Sequence, residues 1–167
     1  MQTIYLITTG GTIEKMYSEQ SGAVLNSASK IGQYLSRLRL PDCDVRVIPL
    51  MNKDSLEMTA EDRARLASEL TPLLVHNAPI VITHGTDTMV ETGLYLQKKF
   101  PDLQVAIVLT GAMRPLGFEG SDGLQNLTES LLAARLLGPG VFVVIHGQAF
   151  PTDQVRKDKD LGTFVRI

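Results

Sequence analysis

Two segments of the chain gather hydroxyl-bearing and flexible residues in a pattern suited to nucleophilic chemistry. The first is Thr8-Thr9-Gly10-Gly11-Thr12-Ile13-Glu14, with two adjacent glycines between threonines. Such glycines permit backbone angles closed to other residues and let a substrate approach the main chain. A threonine hydroxyl is a weak nucleophile until a neighbouring base takes its proton, so this segment needs a partner from elsewhere. The same residues also make a tight turn without any chemistry. A phosphate loop fits poorly, because neither Gly-x-Gly-x-x-Gly nor Gly-x-x-x-x-Gly-Lys-Ser/Thr matches them.

The second segment is Ile82-Thr83-His84-Gly85-Thr86-Asp87-Thr88-Met89. Thr86 or Asp87 at a helix start is good N-cap chemistry, but a cap uses one side chain and more polar residues than that stand here. His84, at the end of an apolar run, reads as a hydrogen-bonded structural residue rather than a general base. His76 and His146 carry no assignment. No two histidines have metal-ligand spacing with a carboxylate, so no metal and no other cofactor is expected.

These segments need elements to hold them. Thr3–Ile7, Val45–Ile48, Ile80–Thr83, Val105–Leu109 and Val141–Ile145 are β-rich runs, and several are almost continuously apolar, as strands covered on both faces are. Between them, Thr59 and Asp62 resemble a capping box ahead of Leu66, Leu70, Leu73 and Leu74 on one helical face. Met89, Gly93, Leu96 and Phe100 form a second helical stripe and Leu124, Leu127, Leu131 and Ala134 a third; residues 29–38 are a weaker candidate. The alternation predicts an α/β fold: a doubly wound, mostly parallel sheet of about five strands, with helices on both faces and right-handed crossovers. No linker, low-complexity tract or repeat divides residues 1–167, so a single domain without a separate C-terminal domain is expected. In such sheets ligands bind beyond the carboxyl ends of the strands. Residues 8–14, 52–57, 84–88, 111–122 and 146–160 each follow a strand, which implies one site at one edge.

The 167 residues are 44% hydrophobic and 20% charged, with a formal charge of −2, and no run of Lys or Arg exceeds two. That predicts a packed core and gives no electrostatic footprint for nucleic acid or an anionic membrane. No stretch approaches the ~20 apolar residues of a membrane span. The first residues lack a basic region ahead of the apolar run, and the lone Cys43 has no partner for a disulfide, so a cytoplasmic location is expected.

Thr9-Gly10-Gly11-Thr12-Ile13 and His84-Gly85-Thr86-Asp87-Thr88-Met89, in this order and each after a strand, closely resemble the signature segments of the bacterial-type L-asparaginase and glutaminase family. Gly111-Ala112-Met113-Arg114-Pro115, with Ser121-Asp122-Gly123 and Asn126, resembles a third. The resemblance spans essentially the whole chain and only the amino-terminal domain of longer members. It implies hydrolysis of L-asparagine to L-aspartate and ammonia, with Thr12 as the nucleophile that forms an acyl-enzyme. It implies that Thr86 is the second catalytic threonine, that Asp87 holds the substrate's α-ammonium, and that Lys157 hydrogen-bonds to Thr86. Ser55 matches a serine that contacts the α-carboxylate, and main-chain groups at Gly11 and Gly85 lie where the substrate would bind.

The chain also departs from the pattern. Tyr17 is the only tyrosine in the loop 15–22, which reads as a mobile lid, and is nominated to activate Thr12 although it stands closer to Thr12 than the family's loop tyrosine; otherwise it is a surface aromatic. Leu56 replaces a glutamine found in members that also hydrolyse glutamine, which predicts low glutaminase activity. Because longer members complete the site with a second domain, a homo-oligomer, dimer or tetramer, is expected. Two other readings remain: an ammonia-releasing subunit of a transamidation complex, and a non-catalytic amino-acid-binding protein.

Overall fold

A computed structural model describes residues 1–26 and 30–167. Its main sheet has six strands, β1 (Gln2–Gly10), β4 (Cys43–Lys53), β5 (Ile80–Thr83), β6 (Ala106–Thr110), β7 (Gly140–Ile145) and β8 (Gln148–Pro151), in the order β4-β1-β5-β6-β7-β8. The first five run parallel and β8 returns antiparallel to β7. All five expected strands are present. The sixth, Gln148-Ala149-Phe150-Pro151, was not expected, since four residues ending in proline show little β pattern; proline is tolerated there because the strand is at the sheet edge.

Strands β5 and β6 are buried at every residue, which explains their unbroken apolar runs. Strand β1 divides its side chains by pleat: Tyr5 and Ile7 face one core and Ile4 and Leu6 the other. On the first face lie α2 (Ala60–Leu74), through Leu66 and Leu70, and α3 (Met89–Lys99), through Met89 and Leu96. On the second lie α1 (Ile31–Leu35), through Ile31, and α4 (Gly123–Leu136), through Leu127, Leu131 and Ala134. The Thr59–Asp62 capping box forms in both directions at the start of α2. The weak helix candidate at 29–38 shortens to α1, and its first residue, Ser29, lies outside the described residues. Among the described residues, no helix is long and apolar enough to cross a membrane.

One crossover departs from expectation. The chain steps in the same direction from β5 to β6 and from β6 to β7, yet α3 and α4 lie on opposite faces, so the α4 crossover has the opposite hand to that through α3. The face that a crossover of the usual hand would cover is already filled: α3 packs on β7 there, beside Phe150, Val155 and Phe164. Those last two belong to an antiparallel hairpin, β9 (Val155–Asp158) with β10 (Thr163–Arg166). A second hairpin pairs β2 (Lys15–Tyr17) with β3 (Val24–Asn26).

Candidate active site

Numbered as the parallel strands occur along the chain, the sheet order is second, first, third, fourth, fifth, and the winding reverses between β1 and β5. A crevice forms at such a switch point because the loops leaving adjacent strands turn to opposite faces. The loop after β1 carries Thr12 and the loop after β5 carries Thr86. They touch main chain to main chain: a Cβ on Gly11 would lie 2.4 Å from the Gly85 nitrogen, and Gly11 has φ 78°. A Cβ on Gly85 would in turn lie 2.5 Å from Ser55 Oγ. No side chain fits at either position, and its absence brings the three loops together.

The rest of the Thr12 loop is held from below. Glu14, buried at the end of the short turn Thr12–Glu14, accepts from Gly10 N at 2.7 Å and from Thr83 Oγ1 at 3.2 Å. Thr9 donates to Thr83 O at 2.7 Å. Thr12 is half-buried, and its hydroxyl has no hydrogen-bond partner among the described residues. Ser55 opens another short turn, Ser55–Glu57, and is 2% exposed. Thr88 is the N-cap of α3, but its hydroxyl donates to Ser55 O at 2.8 Å, tying the Ser55 turn to the β5 loop instead of capping the helix. Neither Thr86 nor Asp87 caps α3.

Lys157 donates to Thr86 Oγ1 at 2.7 Å and to Asp87 Oδ1 at 2.9 Å. It does not arrive as a loop after β7, as expected for residues 146–160. The chain first runs back along β8, crosses beneath α3 at the turn Thr152–Gln154, and returns in β9. Thr86 is buried, and the Lys157 and Asp87 side chains are 18% and 32% exposed. The constellation therefore opens to solvent on the Asp87 side.

The loop 15–22 enters the β2–β3 hairpin, which is fastened to the site. Lys15 pairs with Asp54 at 2.7 Å, and Asn26 donates to Gly11 O at 3.3 Å and to Asn52 Oδ1 at 2.7 Å. The Lys15 hydrogen bond, with Leu56 N–H, holds the Asp54 carboxyl below its ordinary range. Tyr17 is 58% exposed and makes no hydrogen bond to Thr12. It lines a cavity of about 180 Å³ with Ile13, Met16, Tyr34, Leu116 and Phe118, which includes neither Thr86 nor Lys157. Leu56, next to Ser55, is 73% exposed.

Sequence reasoning had no role for Glu14, Lys15 or Asn26. The available signal for Glu14 was a carboxylate beside Ile13, two residues past the threonine and close behind a buried strand; a buried glutamate is rare unless it anchors something. Among the described residues no three His, Cys, Asp or Glu side chains stand close enough to hold a metal ion.

Fold and site together define a doubly wound α/β protein with a threonine on each of two touching loops, a lysine and a carboxylate at its switch point. Residues 3–163 match the family model described as Asparaginase, N-terminal, and the chain belongs to that family. It is 30% identical over 159 residues to an L-asparaginase of Thermococcus kodakarensis, covering 95% of this chain and 48% of that one. A solved structure of the thermostable L-asparaginase from the same organism superposes with a TM-score of 0.87 at 28% identity, over 99% of this chain and 51% of that one. L-asparaginase 1 of Escherichia coli is 34% identical over 139 residues, 80% of this chain and 40% of that protein. One component of the glutamyl-tRNA(Gln) amidotransferase of Thermoplasma volcanium is 30% identical over 138 residues, 82% of this chain and 34% of that component. The chain thus spans about half the length of the L-asparaginases it matches or less.

Proposed function

We propose that this chain hydrolyses the side-chain amide of L-asparagine, giving L-aspartate and ammonia through an acyl-enzyme on Thr12. The observation that carries the reading is the Lys157 ammonium placed on both Thr86 Oγ1 and Asp87 Oδ1, beside a Thr12 loop packed on Gly85. In this reading Thr12 Oγ1 attacks the amide carbonyl and the carbonyl becomes a tetrahedral oxyanion. The C–N bond then breaks, nitrogen leaves as ammonia, and water attacks the threonyl ester to release aspartate. Thr86, polarised by Lys157, relays protons at the reacting amide. The Asp87 carboxylate takes the α-ammonium, while Ser55 Oγ with main-chain groups at Gly11 and Gly85 takes the α-carboxylate side.

Tyr17 is assigned to the activation of Thr12, which requires the β2–β3 hairpin to shift from the position described above. Leu56 offers no amide to a longer substrate, so asparagine is preferred; comparable rates on asparagine and glutamine would remove that preference. A homo-oligomer is part of the proposal, because the Asp87 side lies open and the reaction benefits from excluding water. We assign the protein to the cytoplasm, in keeping with the free thiol of Cys43.

The deciding experiment is ammonia release from asparagine and from glutamine by the purified chain, with Thr12→Ala as control. No release from either amide sinks the reading. The likeness to a component of an amidotransferase supports a second one, in which ammonia is liberated for a partner enzyme. It predicts activity that rises severalfold only when the partner is added, and a steady free-standing rate excludes it.

A further inference from the structure

His84 is fully buried, titratable, and has no role in the reaction written above. Its Nδ1 lies 2.7 Å from the carbonyl oxygen of Gly85. A carbonyl oxygen only accepts, so Nδ1 carries the proton and Nε2 of the neutral ring is an acceptor. Nε2 lies 2.8 Å from Thr92 Oγ1. Thr92 Oγ1 already accepts from Arg63 Nε at 3.0 Å, which leaves its own proton for the imidazole. The Met58 sulfur, 3.1 Å from Nε2, has no proton to give. A directed chain of donors therefore runs from Arg63 through Thr92 and His84 to the Gly85 carbonyl, each link polarising the next. Burial keeps the ring neutral, pushing its pKa down to about 4 against the pull of the Gly85 hydrogen bond.

The described peptide bonds are all trans, so the C=O and N–H of the Gly85–Thr86 peptide point in opposite directions. With Gly85 O held against the imidazole, Thr86 N–H faces away from it. That N–H has no hydrogen-bond partner among the described residues, although Thr86 is only 6% exposed. Donors in such surroundings are rarely left unused.

We propose that His84 is a positioning residue: by holding Gly85 O, it fixes Thr86 N–H as a donor to the oxyanion that develops on the substrate's amide carbonyl. The proposal rests on the amidohydrolase reading and deepens it. The side chains that hold asparagine, Asp87 and Ser55, are not touched by His84, and of the Gly85 main chain it holds only the carbonyl oxygen, so the loss of His84 falls mainly on kcat with a small change in KM.

Three measurements test it. His84→Leu removes the donor to Gly85 and is expected to lower kcat about 10- to 100-fold with KM within about threefold. His84→Asn keeps an N–H near the position of Nδ1 and recovers kcat to within about fivefold of wild type. Equal losses in the two folded variants, or no loss in either, overturn the proposal. The ring-nitrogen NMR shifts of the wild-type chain at pH 7 should show a protonated Nδ1 and a bare Nε2, a readout that holds even where His84→Leu fails to fold. The other tautomer, or a charged ring, overturns the inference whatever the activity. The expected tautomer in a chain that releases no ammonia overturns the amidohydrolase reading and the oxyanion role with it.

Discussion

Lys157 joins two jobs in one ammonium: it donates to the Thr86 hydroxyl and neutralises part of the Asp87 charge. Hydrogen bonds to charged groups contribute about 1.5–3 kcal/mol each, so Lys157→Met should lower kcat/KM by about 10²-fold or more. Because both side chains are partly exposed, its melting temperature should move by less than about 2 °C; steady-state ammonia release and a thermal melt check the two halves. His84 supplies a pH dependence of stability. Its ordinary pKa of 6.5 is pushed down to about 4 in the fold. Between those values the unfolded chain takes up a proton that the folded chain refuses. Stability is therefore unaffected above pH 6.5 and falls as the pH drops toward 4, by about 2–3 kcal/mol. Urea midpoints at pH 7 and pH 4.5 should show that loss in wild type and a smaller one in His84→Asn. Lys157 was legible only through resemblance. In Gln154-Val155-Arg156-Lys157-Asp158 two adjacent cations look alike, and only strand alternation sends Arg156 to solvent, 59% exposed, while Lys157 turns inward.

The elements that deliver these residues differ in how openly the sequence announces them. Helices α2, α3 and α4 carry local apolar stripes, and the Thr59–Asp62 box marks where α2 begins, because i, i+3 and i+4 neighbours act within the segment itself. The hairpins do not. Val155 and Phe164 belong to the same core as α3, and that burial, not a local pattern, holds β9 and β10 where Lys157 meets Thr86. Likewise the β2–β3 hairpin is held by the Lys15–Asp54 and Asn26–Asn52 contacts, both between residues far apart in sequence. At this scale the close approach of Gly11 to Gly85 makes a sharp prediction. Gly11→Ala puts a methyl group 2.4 Å from a backbone nitrogen at φ 78°, so the two loops must part. The expected cost is about 2–4 kcal/mol, or roughly 5–10 °C in melting temperature, with ammonia release nearly abolished despite an intact Thr12. A melt and a rate on the same preparation decide it, and wild-type values for both would show that the loops need not touch.

In the whole molecule, function depends on where the winding reverses. The switch between β1 and β5 opens the crevice in which the Thr12 and Thr86 loops meet, and Lys157 closes it from the α3 side. An open Asp87 side predicts that a second copy shields the site. Sedimentation velocity should then give a dimer or tetramer, with specific activity falling on dilution below the dissociation constant; a fully active monomer would remove the need for a second copy. The amino-acid sequence by itself determined the strand and helix alternation, the doubly wound class and the segments bearing Thr12, Ser55, Thr86 and Asp87. Those features follow from periodicity, glycine placement and short-range capping, all of which act over a few residues. Only the tertiary structure decided the sixth strand, the hand of the α4 crossover, the return of the chain that carries Lys157, and the buried relay from Arg63 to the Gly85 carbonyl. Each of these depends on which surfaces remain free once other elements have packed, a competition for burial that no local stretch of sequence records.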